Sequence, residues 1–167
     1  MLAVLIALTA VPAAATTSPA PLQPLSFLVG SCWRGDFPGG RVTDTHCFTR
    51  AVGGAFVRDR HVVAGAPQAY SGESLYRWDP AARAIRFAYY SSDGAYGAGS
   101  VVASATGLAF PEQAYVGPDG AATTLRSTWT REGADAILVV NEARGPAGWH
   151  ELWRTRWTRV SPTAPAD

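Results

Sequence analysis

The chain has 167 residues, 47% of them hydrophobic and 16% charged, with a formal net charge of +1. Charges of both signs are interspersed, so no basic stripe points to nucleic acid and no acidic block to a solvating tail. All 14 basic residues are Arg, which excludes Schiff-base chemistry, a lysine general base and Walker-type phosphate binding.

The first charged side chain is Arg34. Well ahead of it, residues 2–8 form an apolar run, and the small residues Ala13, Ala14 and Ala15 follow. A hydrophobic stretch of that length ending at an Ala-x-Ala-like site reads as a signal peptide over residues 1–15, too short for a membrane anchor. Pro12 and the Pro-containing stretch after it argue against the alternative, a buried helix. Residues 16–26 then read as a Pro-rich linker, 27–160 as one folded domain and 161–167 as a disordered tail. The expected location is periplasmic or secreted. Val29 to Cys32 imitates a lipoprotein signal, but a polar spacer separates it from the apolar run, so no lipid anchor is expected.

Past Phe27, clusters of Gly, Pro or Asp punctuate the chain every 8 to 12 residues, and the runs between them are rich in Val, Thr, Tyr, Phe and Trp. That spacing predicts an all-β meander. The predicted strands are 31–37, 42–50, 55–63, 70–78, 84–91, 96–105, 108–115, 123–131, 135–143 and 149–160. Ten consecutive strands joined by tight turns bury their edges best by closing, which predicts an all-β fold, a single antiparallel up-and-down β-barrel of about ten strands. Leu22 to Leu28 is long enough for a short turn plugging one end.

The first hairpin carries its own ruler. With Gly39 and Gly40 as central turn residues, Cys32 and Cys47 fall directly opposite each other. In an exported chain this predicts a cross-strand disulfide between them. Side chains alternate between faces, so Trp33 and Phe37 share a face with Asp44, His46 and Phe48. A large aromatic belongs inside, which turns Asp44 and His46 inward. A two-residue turn in the Val52-Gly53-Gly54 stretch carries the inward set on to Val57, Asp59, His61 and Val63. A three-residue turn would instead bring Arg58 and Arg60 inside and favour a carboxylate-bearing ligand.

Asp44, His46, Asp59 and His61 thus form the constellation best placed to carry chemistry. Two imidazoles and two carboxylates have the donor types of a divalent-metal site or of a general acid and base. The same four residues also suit a hydrogen-bonded polar cluster, or the few polar groups that orient a ligand in an apolar pocket. Elsewhere alternation places Leu125, Ser127 and Trp129 inward, and Ile85, Phe87 and Tyr89 likewise. In the last strand it places Trp149, Glu151, Trp153, Thr155 and Trp157 on the favoured inner face, with an inward Arg154 and Arg156 as the alternative. The parity of Glu73 is left unset by the loop before it.

Phe27-Leu28-Val29-Gly30 leading into Trp33-Arg34-Gly35, then Ser74-Leu75-Tyr76-Arg77-Trp78-Asp79-Pro80 and Asp93-Gly94, resembles exported bacterial lipocalin-like proteins over nearly all of the folded part. More distantly the opening resembles nitrobindin. The first resemblance implies a barrel of the lipocalin and fatty-acid-binding-protein kind, with a late Arg, here Arg154 or Arg156, packed over Trp33. The second implies a haem-ligating His on a late strand, where this chain offers Arg154 and Arg156, with His150 set earlier.

The expected protein is a monomer whose interior binds a small hydrophobic or amphipathic molecule. Trp33, Tyr89 and Trp153 are expected as apolar wall, and Asp44, His46, Asp59 and His61 as orienting groups. The competing readings are an enzyme, with or without metal, using those four residues, and an envelope protein with a filled barrel. No cofactor and no metal ligand set is expected, with haem and a divalent metal left open, and no nucleic-acid partner.

Overall fold

Short runs of alternating polarity between turn residues cannot bury a core singly, and here they do so by pairing in sequence order. The computed structural model describes residues 20–68 and 70–161. Its strands are β1 (Ser31–Asp36), β2 (Thr43–Ala51), β3 (Phe56–Ala64), β4 (Tyr70–Asp79), β5 (Ala84–Ser91), β6 (Tyr96–Ala103), β7 (Gly107–Val116), β8 (Ala122–Arg131), β9 (Ala136–Gly145) and β10 (Gly148–Val160). Every predicted strand is present, with ends within two residues of those expected. Each strand pairs antiparallel with the next, and β1 closes on β10 through Cys32↔Val160, Trp33↔Arg159 and Arg34↔Thr158. Closure leaves no free edge strand.

The β1–β2 register is the predicted one: Cys32 faces Cys47 and Trp33 faces His46. A disulfide joins the two cysteines on the outer face of the hairpin. The turn differs in detail. Gly40 N–H donates to Phe37 O, which makes Pro38 and Gly39 the corner residues, and Gly39 has φ 98° as the third position of a type II turn requires. The four-residue loop between Phe37 and Val42 shares its centre with the two-residue turn, so the register is unchanged. The next loop is also even-membered, pairing Ala51 with Phe56, and His46 with His61 further along.

One end of the barrel is closed from inside. A 3-10 turn, Ala20–Leu25, buries Leu22 and Leu25, and Leu28 follows them into a core with Trp33, Phe48, Val57, Ile85, Val101, Leu108 and Ile137. Each buried leucine contributes about 1.5–3 kcal/mol of transfer free energy. Residues 20–26, expected as linker, therefore belong to the folded unit. The signal peptide expected at 1–15, linker residues 16–19 and tail residues 162–167 lie outside the described residues. Among those described, no helix is long and apolar enough to cross a membrane.

Two bulges reset which side chains face inward. Proline has no N–H to give the ladder, and at Pro111 and Glu112 the β7–β8 register shifts between Phe110↔Ser127 and Gln113↔Leu125. Inward parity thereby passes from Phe110 to Gln113 and Tyr115, while Glu112 reaches Arg144 outside. The second bulge lies in β10, between Glu151↔Glu142 and Trp153↔Asn141.

Candidate functional site

The half of the barrel away from the plug encloses a cavity of ≈ 580 Å³. Aromatic rings are the largest single group in its wall: Tyr70, Tyr76, Phe87, Phe110, Trp129 and Trp153 line it, among others. Leu152, about half exposed, stands in this wall as well. Asp44, His46, Asp59, His61, Tyr89 and Trp153, all expected at the site, line the cavity together.

Trp33 does not line it. Its ring faces inward but lies in the plugged half, edge-on to Phe27 and beneath Arg159, whose guanidinium carbon is 4.6 Å from the ring centroid. Arg159, directly opposite Trp33 in the β1–β10 register, takes the place expected for Arg154 or Arg156. Those two arginines lie outside and pair with Glu151 and Glu132.

The β10 bulge corrects the reading of the last strand. Trp153, Thr155 and Trp157 are inward as expected, but Trp149 and Glu151 are not. Trp149 lies against Arg126 and Arg144, and Glu151 pairs with Arg154. Arg58 and Glu73 meet outside at 3.2 Å, so the odd-turn alternative with inward arginines does not occur.

The four predicted polar residues form one continuous chain of hydrogen bonds. His46 Nδ1–H donates to the Asp59 carboxylate at 2.9 Å, and His46 Nε2–H donates to Asp44 Oδ2 at 3.1 Å. The other Asp44 oxygen accepts from His61 Nδ1–H at 3.0 Å. In that tautomer His61 Nε2 accepts the Tyr89 hydroxyl proton at 3.2 Å, and Tyr70 O–H donates to Tyr89 at 2.5 Å. The rings also stack: the His46 centroid is 4.2 Å from Trp157 and 4.6 Å from His61.

A ring whose two nitrogens both face carboxylates is held as an imidazolium. Burial alone would lower the His46 pKa, but the charges of Asp44 and Asp59, with the hydrogen bonds they accept, outweigh it and raise the pKa to about 10. Burial likewise pushes Asp44 up. The His46 charge and the hydrogen bonds from both imidazoles reverse that and hold it well below the usual carboxylate range. Burial pushes the Tyr89 hydroxyl up, so it stays protonated.

Two small residues make room for this chain. A Cβ on Gly72 would lie 2.4 Å from His61 Nε2 and 2.7 Å from the Tyr89 hydroxyl. On Gly35 it would lie 2.4 Å from Trp157, whose ring covers His46.

Asp44, His46 and His61 have ligand atoms within 4.8 Å of one another, the spacing of a metal-binding group. Those same atoms already form imidazole–carboxylate hydrogen bonds, and a cation would have to displace the proton that His46 holds. Haem fits less well still. The late-strand histidine, His150, is exposed beside Gly145 and does not line the cavity, and both imidazoles inside have their nitrogens engaged.

Tyr70, Trp157 as the ring covering His46, and a second polar group are not among the site residues expected from the sequence. Gln113 Nε2 donates to Ser127 Oγ at 3.0 Å, and Ser127 Oγ–H donates to Asn141 Oδ1 at 2.5 Å. These residues sit on β7, β8 and β9, across the closed sheet from β2 and β3. The signal for Gln113 was Pro111 inside a predicted strand.

Fold and site together define a closed up-and-down β-barrel with an aromatic internal cavity and two polar groups on facing walls. No protein-family model matches the sequence, and no match was found among the curated proteins compared with it.

Proposed function

We propose that the barrel is an exported, monomeric binding protein for a small, uncharged, mostly aromatic molecule held inside it. The observation that carries this reading is the composition of the cavity wall. Its volume of ≈ 580 Å³ falls among ligand pockets, which run about 300–1,000 Å³. Ten of the 26 residues lining it are Phe, Tyr or Trp, and no arginine stands among them. The charges it does carry are spent on each other: both His46 nitrogens and all the oxygens of Asp44 and Asp59 are engaged within the chain. An anionic ligand would meet carboxylates and find no guanidinium, whereas an uncharged aromatic one would exchange water for stacking surface. Export is supported by the disulfide, which persists in oxidising compartments, and by the leader-like start of the sequence. The monomeric state is supported by closure of the sheet.

The test is a pair of probes on one frame. N-phenyl-1-naphthylamine should bind with micromolar affinity and enhanced fluorescence, while 1-anilinonaphthalene-8-sulfonate, the same frame with a sulfonate, should bind about tenfold more weakly or worse, a difference of about 1.4 kcal/mol. No binding of the neutral probe, or equal binding of the anion, would overturn the reading.

A further inference from the structure

Resting on that reading, we propose that Gln113, Ser127 and Asn141 form a ligand subsite for a neutral carboxamide or lactam edge, so that the molecule bound is an aromatic amide or lactam. Hydrogen-bonding valences around the cavity are satisfied unevenly, and the buried Trp157 indole N–H has no partner among the described residues. On the β2–β3 wall the imidazoles and carboxylates satisfy one another, and what they present to the interior through β4 and β5 is the hydroxyl pair Tyr70 and Tyr89.

The facing wall is different. Ser127 Oγ accepts from one amide and donates to the other, so both amides converge on one hydroxyl. One N–H of Gln113 and the Asn141 oxygen are used in this way. The Gln113 oxygen and the Asn141 NH₂ have no partner among the described residues, and both residues line the cavity. Flipping both amides leaves the same stock: one carbonyl and an NH₂ free, on neighbouring side chains. A carbonyl acceptor beside an N–H donor complements a group that itself carries N–H beside C=O, which is the edge of a carboxamide or lactam. An ester or ketone would use half of it, and a carboxylate would set an anion against the free carbonyl.

The backbone supports an inward amide at this position. Without the Pro111–Glu112 bulge, alternation from Phe110 would turn Glu112 into the cavity and Gln113 out. With it, an uncharged side chain faces inward, and the acid pairs with Arg144 outside. Ser127 at 8% exposure is buried, so its hydroxyl is held by the two amides.

The experiment is displacement of N-phenyl-1-naphthylamine by 2-naphthamide, N,N-dimethyl-2-naphthamide and 2-ethylnaphthalene, on the full protein and on Asn141→Leu and Gln113→Leu. Two neutral hydrogen bonds of about 1 kcal/mol each predict that methylating the amide nitrogen weakens wild-type binding about fivefold or more. They also predict that the affinity ratio of 2-naphthamide to 2-ethylnaphthalene falls about fivefold or more in each variant, which removes one of the two bonds. The wild-type comparison of the two amides needs no substitution, so a variant that fails to fold leaves the test intact. If the neutral dye binds but methylation and both substitutions leave the ratios unchanged, the subsite is a water-filled polar patch and this inference falls while the binding reading stands. If the dye does not bind at all, both fall.

Discussion

Replacing His46 by phenylalanine is expected to destabilise the barrel by about 3–5 kcal/mol, a large share of the 5–15 kcal/mol typical of a domain. Phenylalanine keeps a flat ring between Trp157 and His61, so the stacking surface survives. What it removes is the cation between Asp44 and Asp59, 6% and 3% exposed. Two buried carboxylates that lose their counter-charge must either stay ionised at a desolvation cost or take up protons. The variant should therefore recover stability as pH falls towards 5, opposite to the behaviour of a carboxylate that is ion-paired in the native state. Urea unfolding at pH 5 and pH 7.5 measures both effects. A loss below 1 kcal/mol with no pH dependence would mean that the His46 charge contributes little.

The wild-type protein should lose stability steadily as pH rises from 6.5 to 10. The His46 pKa is raised on folding from its ordinary 6.5 to about 10, so the native state holds a proton that the unfolded chain releases. Its contribution is complete below pH 6.5 and disappears by pH 10, at up to about 1.4 kcal/mol per pH unit. Asp44 acts in the opposite sense. Its depressed pKa contributes above the ordinary value of 3.8, and that contribution is lost as pH falls. The stability maximum should then lie between about pH 4 and 6.5. Tyr76 and Tyr89, both raised by burial, add to the alkaline loss only beyond pH 10, so the 6.5–10 limb reports His46. A flat profile across that limb would contradict the assigned imidazolium.

Much of the architecture could be read in the sequence because turn residues and period-two alternation act locally. The register of the first two hairpins needed only the centre of each loop, and a loop of two or four residues about the same centre gives the same pairing. That is why Asp44, His46, Asp59 and His61 came out on one face even though the first turn is built on Pro38 and Gly39. Alternation failed where a strand slips. The β10 bulge leaves Trp149 and Glu151 outside while Trp153 stays in, and the β7 bulge brings in Gln113 instead of Glu112. Tyr70 was missed because the loop before β4 leaves the parity of that strand open. Trp33 shows a different limit: alternation tells inside from outside, but not the height along the barrel. Trp33 is inside, yet it packs with the plug formed by Leu22, Leu25 and Leu28.

Filling the cavity tests binding inside the barrel most directly. Ala143 lines it at 8% exposure, and Ala143→Trp should place an indole where the ligand belongs. Wild type should bind N-phenyl-1-naphthylamine one to one, and Ala143→Trp should keep its β-sheet circular dichroism but lose at least about tenfold in affinity, or 1.4 kcal/mol. Unchanged affinity in the folded variant would place the dye elsewhere and contradict binding inside the barrel.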